Sequence, residues 1–335
     1  MATVGVSSFI YEVLWTRLLS QILGGSVFAF ATMLSAFLVG IAAGGWLAGV
    51  IVSRGRDSRA AFCWSQLAAA CGAIAVYLGL NPLLELCELI GGGAAVGAGN
   101  PGSVAACLLI LLPSTVAIGM TFPLAVRAAT QNAENVPAVT GRLYAASTIG
   151  CVFGALLGSH FCLPLLGFGG TVSAAAALNL AVTTSVLWAA FPQQRRLAFG
   201  GIAAVVLVAV VPFGDPTALL TRTSFDTESM PGELLFVKAG VSSTVVLTRE
   251  HDRFRLYTNG LPESEICPRG AVSGAEAGLR WLTTLPVIAR PDAESLLVVG
   301  FGGGGAVAGV PPTVEQIDVI ELEPGVIDAV REVAG

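Results

Sequence analysis

Charge is scarce in this sequence: 12% of its 335 residues are Asp, Glu, Lys or Arg, against 54% hydrophobic, and the mean hydropathy is +0.79. A chain so poor in polar groups cannot cover a water-facing surface, which excludes an ordinary soluble protein and implies an integral membrane one. Histidine is nearly missing, with His160 and His251 far apart, and the seven cysteines form no CxxC pair. A zinc site and a disulfide framework therefore lack their ligands, and no metal is expected. Cys63, Cys71, Cys87, Cys107, Cys151 and Cys162 lie in apolar stretches and read as small buried hydrophobes, while Cys267 stands alone in a loop. Basic residues are also outnumbered, 17 against 22. That balance argues against a nucleic-acid partner, whose phosphates call for the opposite sign.

The few charges are unevenly placed. Met1 to Pro212 holds eight basic and five acidic residues, a net +3, and Phe213 to Gly335 holds nine and seventeen, a net −8. The step near Pro212 marks a domain boundary. Before it, apolar runs near the spanning length of about 17 to 25 residues fall close to 3–22, 26–52, 60–80, 103–126, 142–166, 170–191 and 197–213, the first and last being the weakest. They predict a bundle of six or seven transmembrane helices over residues 1–213. Glu12 and Arg17 interrupt the first run, which is therefore no cleavable signal, and they are expected to pair or to lie near an interface.

Glycines at four-residue spacing, Gly40, Gly44, Gly45 and Gly49 in the second run and Gly150, Gly154 and Gly158 in the fifth, predict close-packing helix faces. Arg54, Arg56 and Arg59, then Arg127 and Arg142, then Arg195 and Arg196 fall on one common side, assigned to the cytoplasm by the positive-inside bias. With a seventh true span, everything after Pro212 would lie on the other side.

After the boundary the texture changes. Ser243 to Glu250 and Arg253 to Gly260 are β-rich runs about the polar turn His251-Asp252, a hairpin signal. A helix is predicted over Gly274 to Leu285, ended by Pro286, followed by an apolar strand from Ser295 to Gly300. That strand opens into Gly300-Phe301-Gly302-Gly303-Gly304-Gly305, which satisfies G-x-G-x-x-G. A second strand, Gln316 to Leu322, carries Glu321 twenty-one positions after Gly300. Glycines let the backbone turn sharply and approach a nucleotide closely, and a carboxylate at the second strand's tip accepts ribose hydroxyls. The cofactor-binding candidates are Gly300, Gly302, Gly303, Gly304, Gly305 and Glu321. Dinucleotide and S-adenosyl cofactors share this architecture; Pro311-Pro312 leaves only a short helix after the loop, which leans away from a pyrophosphate.

Several stretches together resemble the bacterial family of membrane-fused spermidine synthase-like proteins: Tyr11-Glu-Val-Leu-Trp-Thr-Arg17, Phe37-Leu-Val-Gly-Ile-Ala-Ala-Gly44, Gly119-Met-Thr-Phe-Pro123, Gly141-Arg-Leu-Tyr-Ala-Ala146, Leu163-Pro-Leu-Leu-Gly167 and Val298 to Glu323. The resemblance covers nearly the whole chain. It implies a helical membrane bundle (1–213), a small β-hairpin domain (214–270) and the start of a Rossmann-like α/β domain (271–335) in a multi-pass protein of the bacterial inner membrane. It also implies transfer of an aminopropyl group from decarboxylated S-adenosylmethionine to a small-molecule amine, with S-adenosylmethionine itself the other adenosyl candidate. By the same resemblance Glu321 takes the ribose position, and Gly300, Gly302 and Gly304 the loop.

The sequence also departs from that pattern. Gly303 stands where spermidine synthases usually have an aspartate, and Leu279 and Arg280 stand where an amide or imidazole and an acid are usual. The family's catalytic aspartate follows a fourth strand, which is not found before Gly335, so no catalytic residue is assigned and the chain is expected to be a fragment. A polyamine or solute transporter or sensor with a nucleotide fold, and a membrane-anchored NAD-dependent oxidoreductase, are the other readings; a homo-oligomer is left open.

Overall fold

The computed structural model describes residues 1–91, 101–130, 132–210, 213–214, 216, 232–250, 253–266 and 274–334. His251, Asp252 and Cys267, named above, lie outside them. The chain divides into two compact units, Met1–Leu19 with Ser26–Pro216, and Ser20–Gly25 with Thr217–Gly335.

The first unit is helical: α1 (Ala2–Leu23), α2 (Val27–Ser53), α3 (Ser58–Leu78), α4 (Leu80–Ile90), α5 (Pro101–Ala129), α6 (Val136–Leu157), α7 (Leu163–Ala190) and α8 (Arg195–Val210). Side chains set two of the starts. Ser26 accepts from the Ala29 amide at 3.1 Å ahead of α2, and Asp57 from the Arg59 amide at 2.9 Å ahead of α3, meeting backbone donors that a first turn leaves over.

Among the described residues four helical stretches are long and apolar enough to cross a membrane: Val27–Ser53, Ser58–Leu78, Pro101–Ala129 and Val136–Ala190. The last is broken within. A single π turn, Gly158–Cys162, joins α6 to α7, and Gly167 takes φ 66° and ψ −170°, a conformation open to glycine. Where the runs 3–22 and 197–213 are expected lie the helices α1 and α8, the latter described as far as Val210, and both fall outside this set. The first carries Glu12 and Arg17, and α8 has 16 residues, short of the bilayer's thickness. The short helix α4 was not foreseen; it buries Leu80, Leu84 and Cys87 at helical spacing and keeps Glu85 and Glu88 off that stripe. Phe28, Trp46, Trp64 and Leu165 point outward with most of their surface uncovered, as lipid-facing side chains do.

Two helix pairs approach at van der Waals limits. A Cβ at Gly44 would lie 2.1 Å from the Val116 carbonyl oxygen, one at Gly119 2.5 Å from that of Ile41, and one at Gly40 1.9 Å from Thr115 Oγ1, so α2 and α5 meet backbone to backbone. Gly150 and Gly154 do the same for α6 against α1, their added Cβ atoms falling 2.0 Å from Ala2 O and 2.4 Å from Val6 O. Small residues permit this approach in an apolar solvent, where packing rather than burial drives association. The expectation of one packing face in α2 is corrected at Gly45 and Gly49, which have nothing within 4 Å of an added Cβ. At 100° per residue they sit one step round the helix from the Gly40/Gly44 row. Glu12 lines a cavity of about 20 Å³ with Thr16 and Met33, room for about one water.

In the second unit a four-stranded antiparallel sheet runs in the order β1 (Glu233–Ala239), β2 (Thr244–Glu250), β3 (Arg253–Thr258), β4 (Leu261–Ile266). The expected hairpin is the β2/β3 pair, in register from Val245 opposite Thr258 to Glu250 opposite Arg253. Strands β1 and β4 extend it on either side. Asn259 and Gly260, at φ 50° and 75°, turn β3 into β4, the paired left-handed conformation of a tight hairpin. Then come α9 (Gly274–Ala289), β5 (Ser295–Val299), α10 (Gly305–Ala308), β6 (Gln316–Ile320) and α11 (Pro324–Ala334). Helix α9 runs through Pro286 instead of ending before it; Pro286 is exposed, so the carbonyl it leaves unpaired can face solvent.

Strands β5 and β6 pair in parallel, Ser295 opposite Gln316 through Val299 opposite Ile320. The core of this unit joins Val245, Leu247 and Leu256 of the antiparallel sheet to Val326 and Ala329 of α11, with Phe301 against it. Leu297, Val299, Ile317, Val319 and Ile320 of the parallel pair remain exposed.

Candidate functional site

The glycine loop leaves β5 where the parallel ladder ends, the Gly300 amide donating to Ile320 O at 2.8 Å. Gly300, Gly302 and Gly304 have φ of 89°, 52° and 81°, so each alternate position needs the left-handed region that a Cβ disfavours. An added Cβ at Gly300 or Gly302 would meet nothing within 4 Å. The backbone there is open to a ligand. Gly303 is turned the other way, its Cβ position 2.5 Å from Ser264 Oγ and 2.9 Å from Ser264 Cβ on β4, and Gly305 is buried at the start of α10. The aspartate usual at Gly303 in spermidine synthases would collide with β4 in this arrangement.

Glu321, just past β6, reaches back to this loop. Its Oε2 accepts from the Phe301 amide at 2.7 Å and its Oε1 from the Glu323 amide at 2.9 Å. Partial burial pushes the carboxyl pKa up, but the amides of Glu323, Phe301, Gly302 and Leu322 outweigh it and hold the group below its ordinary value. Glu321 is ionised at neutral pH. A carboxylate has about four acceptor sites, and the two hydrogen bonds leave acceptor capacity for hydroxyl groups. The structure thus brings Gly300, Gly302 and Glu321 together, and turns Gly303 and Gly305 to packing. Helix α10, with four residues, is short, as the prolines after it imply.

Two supports of the site escaped sequence reasoning. Glu323 is buried and accepts from Ser242 Oγ at 2.9 Å and from the Ser242 and Ser243 amides, each at 3.2 Å. It ties the β1–β2 turn to the segment after β6. The sequence shows a second acid two residues beyond Glu321, but nothing local to it points to partners some 80 residues upstream. Thr283 and Thr284 of α9 donate to Ala306 O at 2.6 Å and Gly309 O at 2.9 Å, fixing the helix after the loop. Gly309 admits this contact, since a Cβ there would lie 2.5 Å from Arg280 Cα.

The fold and the loop together define a helical protein suited to a membrane, with a glycine turn and an acidic strand end in its second unit. The chain is similar to the polyamine aminopropyltransferases of Mycobacterium tuberculosis and Mycobacterium bovis, 24% identical over 349 aligned positions that take in 99% of this chain and 61% of those proteins. It spans about three-fifths of the length of these curated relatives. A diaminopimelate epimerase of Albidiferax ferrireducens is 33% identical over 112 positions, 31% of this chain and 38% of that protein. No protein-family model matches the chain, and no solved structure matches it. The near full-length similarity relates the chain distantly to a transferase.

Proposed function

We propose that this chain is a membrane-anchored relative of the aminopropyltransferases that holds decarboxylated S-adenosylmethionine at the loop Gly300–Gly304, with the Glu321 carboxylate on its ribose hydroxyls. The division into a membrane bundle over 1–213, a β-domain over 214–270 and a Rossmann-like nucleotide fold over 271–335 belongs to the same proposal, as do six or seven spans in a bacterial inner membrane. The observation that carries it is the meeting of Glu321 with Phe301 across the open Gly300 and Gly302 backbone, in a chain similar over nearly all its length to polyamine aminopropyltransferases.

Within the site, Glu321 has two tasks. It holds the loop through the Phe301 amide and fixes its own segment through the Glu323 amide, and it offers its remaining lone pairs to a vicinal diol. The aminopropyl transfer also requires that an ammonium lose a proton before it attacks; no residue of this chain is assigned that step.

Titration calorimetry of the full chain in detergent, with decarboxylated S-adenosylmethionine, S-adenosylmethionine, methylthioadenosine and NAD in turn, tests the reading. Binding of the adenosyl sulfonium compounds, weakened in Glu321→Ala, is expected. Preference for NAD, or affinity indifferent to Glu321→Ala, overturns it.

A further inference from the structure

A cleft of about 680 Å³ opens within the helical unit among α2, α5 and the start of α6. Gly45 and Gly49 form its floor, where the missing side chains leave open space, and Phe122, Pro123 and Val126 form an apolar wall. One end is different in kind. Arg127, Thr130, Asn132 and Thr140 gather there, and among the described residues no carboxylate lines the cleft. Among the described residues Arg127 has no ion-pair partner. Arg54, at the end of α2, and Arg142, two residues beyond Thr140, add charge of the same sign to the ends of these helices.

An apolar trough that ends in an uncompensated guanidinium and hydroxyls matches an amphiphile with an anionic head. It repels a cation, which sets it apart from any polyamine path. Arginine is suited to the phosphate oxygens because its planar fork donates two parallel hydrogen bonds. Basic pockets between membrane helices on the positively charged side bind acidic lipid headgroups by this means. We infer that the cleft is a binding site for an acidic phospholipid, an acyl chain lying over Gly45 and Gly49 and the phosphate at Arg127. The bound lipid fills space that the glycines leave between α2 and α5, beside the close contact at Gly44 and Gly119.

The test uses the full chain in a mild nonionic detergent, titrated with phosphatidylglycerol or phosphatidylcholine of identical acyl chains and read by native mass spectrometry. Phosphatidylglycerol is expected to bind in preference. Arg127→Gln should weaken it by about fivefold, the equivalent of one interfacial charge, Arg127→Lys should restore part of the loss, and Gly49→Leu should reduce binding of both lipids. Equal binding of the two lipids by the unaltered chain overturns the inference, whatever the variants do. So does a preference indifferent to both Arg127→Gln and Gly49→Leu, which would assign it to scattered surface charge. Full displacement by millimolar glycerol 3-phosphate would also overturn it, by making the ligand a soluble phosphate.

Discussion

The Glu321 carboxylate and the Phe301 amide, 20 residues apart, meet at 2.7 Å and close the glycine loop onto the end of β6. The same carboxylate turns the chain at Glu323. A single ionised acid therefore sets both the shape of the loop and the charge at its mouth.

Acid should open this loop. The folded pKa of Glu321 lies below its ordinary value of 4.5, so its contribution to stability is fully present above about pH 4.5 and is lost as pH falls through the lowered folded value. Hydrogen exchange at the Phe301 and Glu323 amides, followed downward from pH 6, should show protection falling in that window. Glu321→Gln should give low protection at every pH, because an amide group offers one acceptor oxygen where two amides donate. Unchanged protection in that variant would show that the carboxylate does not hold the loop.

Glu323 carries a different consequence. Its carboxylate is buried against three donors from Ser242 and Ser243, and Glu323→Ala leaves them without an acceptor. The second unit should lose about 1.5 to 3 kcal/mol, the range for a hydrogen-bonded charged group, read as a lower denaturation midpoint in urea. Ser242→Ala, which removes only the hydroxyl, should cost less.

The helix contacts give a paired test. Gly44→Leu forces a side chain into Val116 and Gly119 and should lower the melting temperature of the detergent-solubilised chain by several degrees. Gly45→Ala, facing open space one residue on, should be neutral or slightly stabilising, since alanine is the better helix former by about 1 kcal/mol. Equal effects would contradict the assignment of the two faces.

At the β3–β4 turn, Asn259 exchanges two bonds with Thr244, its amide donating to Thr244 O and its Oδ1 accepting from Thr244 N, both at 3.0 Å. Asn259→Ala removes the side-chain bond and places an alanine at φ 50°, so a loss of about 1 to 2 kcal/mol is expected. Asn259→Gly, which keeps the conformation and loses only the bond, should fall between.

Much of this is legible in the sequence. Apolar runs mark the positions of α2, α3, α5, α6 and α7, because a bilayer imposes a length on them, and the loop and Glu321 are readable because the glycines and the acid stand in a recognisable spacing between two strands. Strand β4 was missed although Asn259-Gly260 is a strong hairpin signal; its strand, Leu261-Pro-Glu-Ser-Glu-Ile266, has too few apolar residues to show alternation. Gly40/Gly44 and Gly45/Gly49 are two four-residue series that share a helix but not a face, and spacing alone does not separate them. Glu323 was invisible as a support because its partners lie some 80 residues upstream, and no local pattern reports a contact of that span. The continuation of α9 past Pro286 depended on which side of the helix met water.

Ile317, Val319 and Ile320 on β6, with Leu297 and Val299 on β5, leave apolar side chains exposed on a two-stranded sheet, in a unit whose residues 217–335 carry a net −7. Strand edges of this kind invite pairing with whatever strand comes next. The acidic charge works against such encounters at low ionic strength and is screened at high salt. Self-association of residues 217–335, read by light scattering, should therefore rise as salt is added.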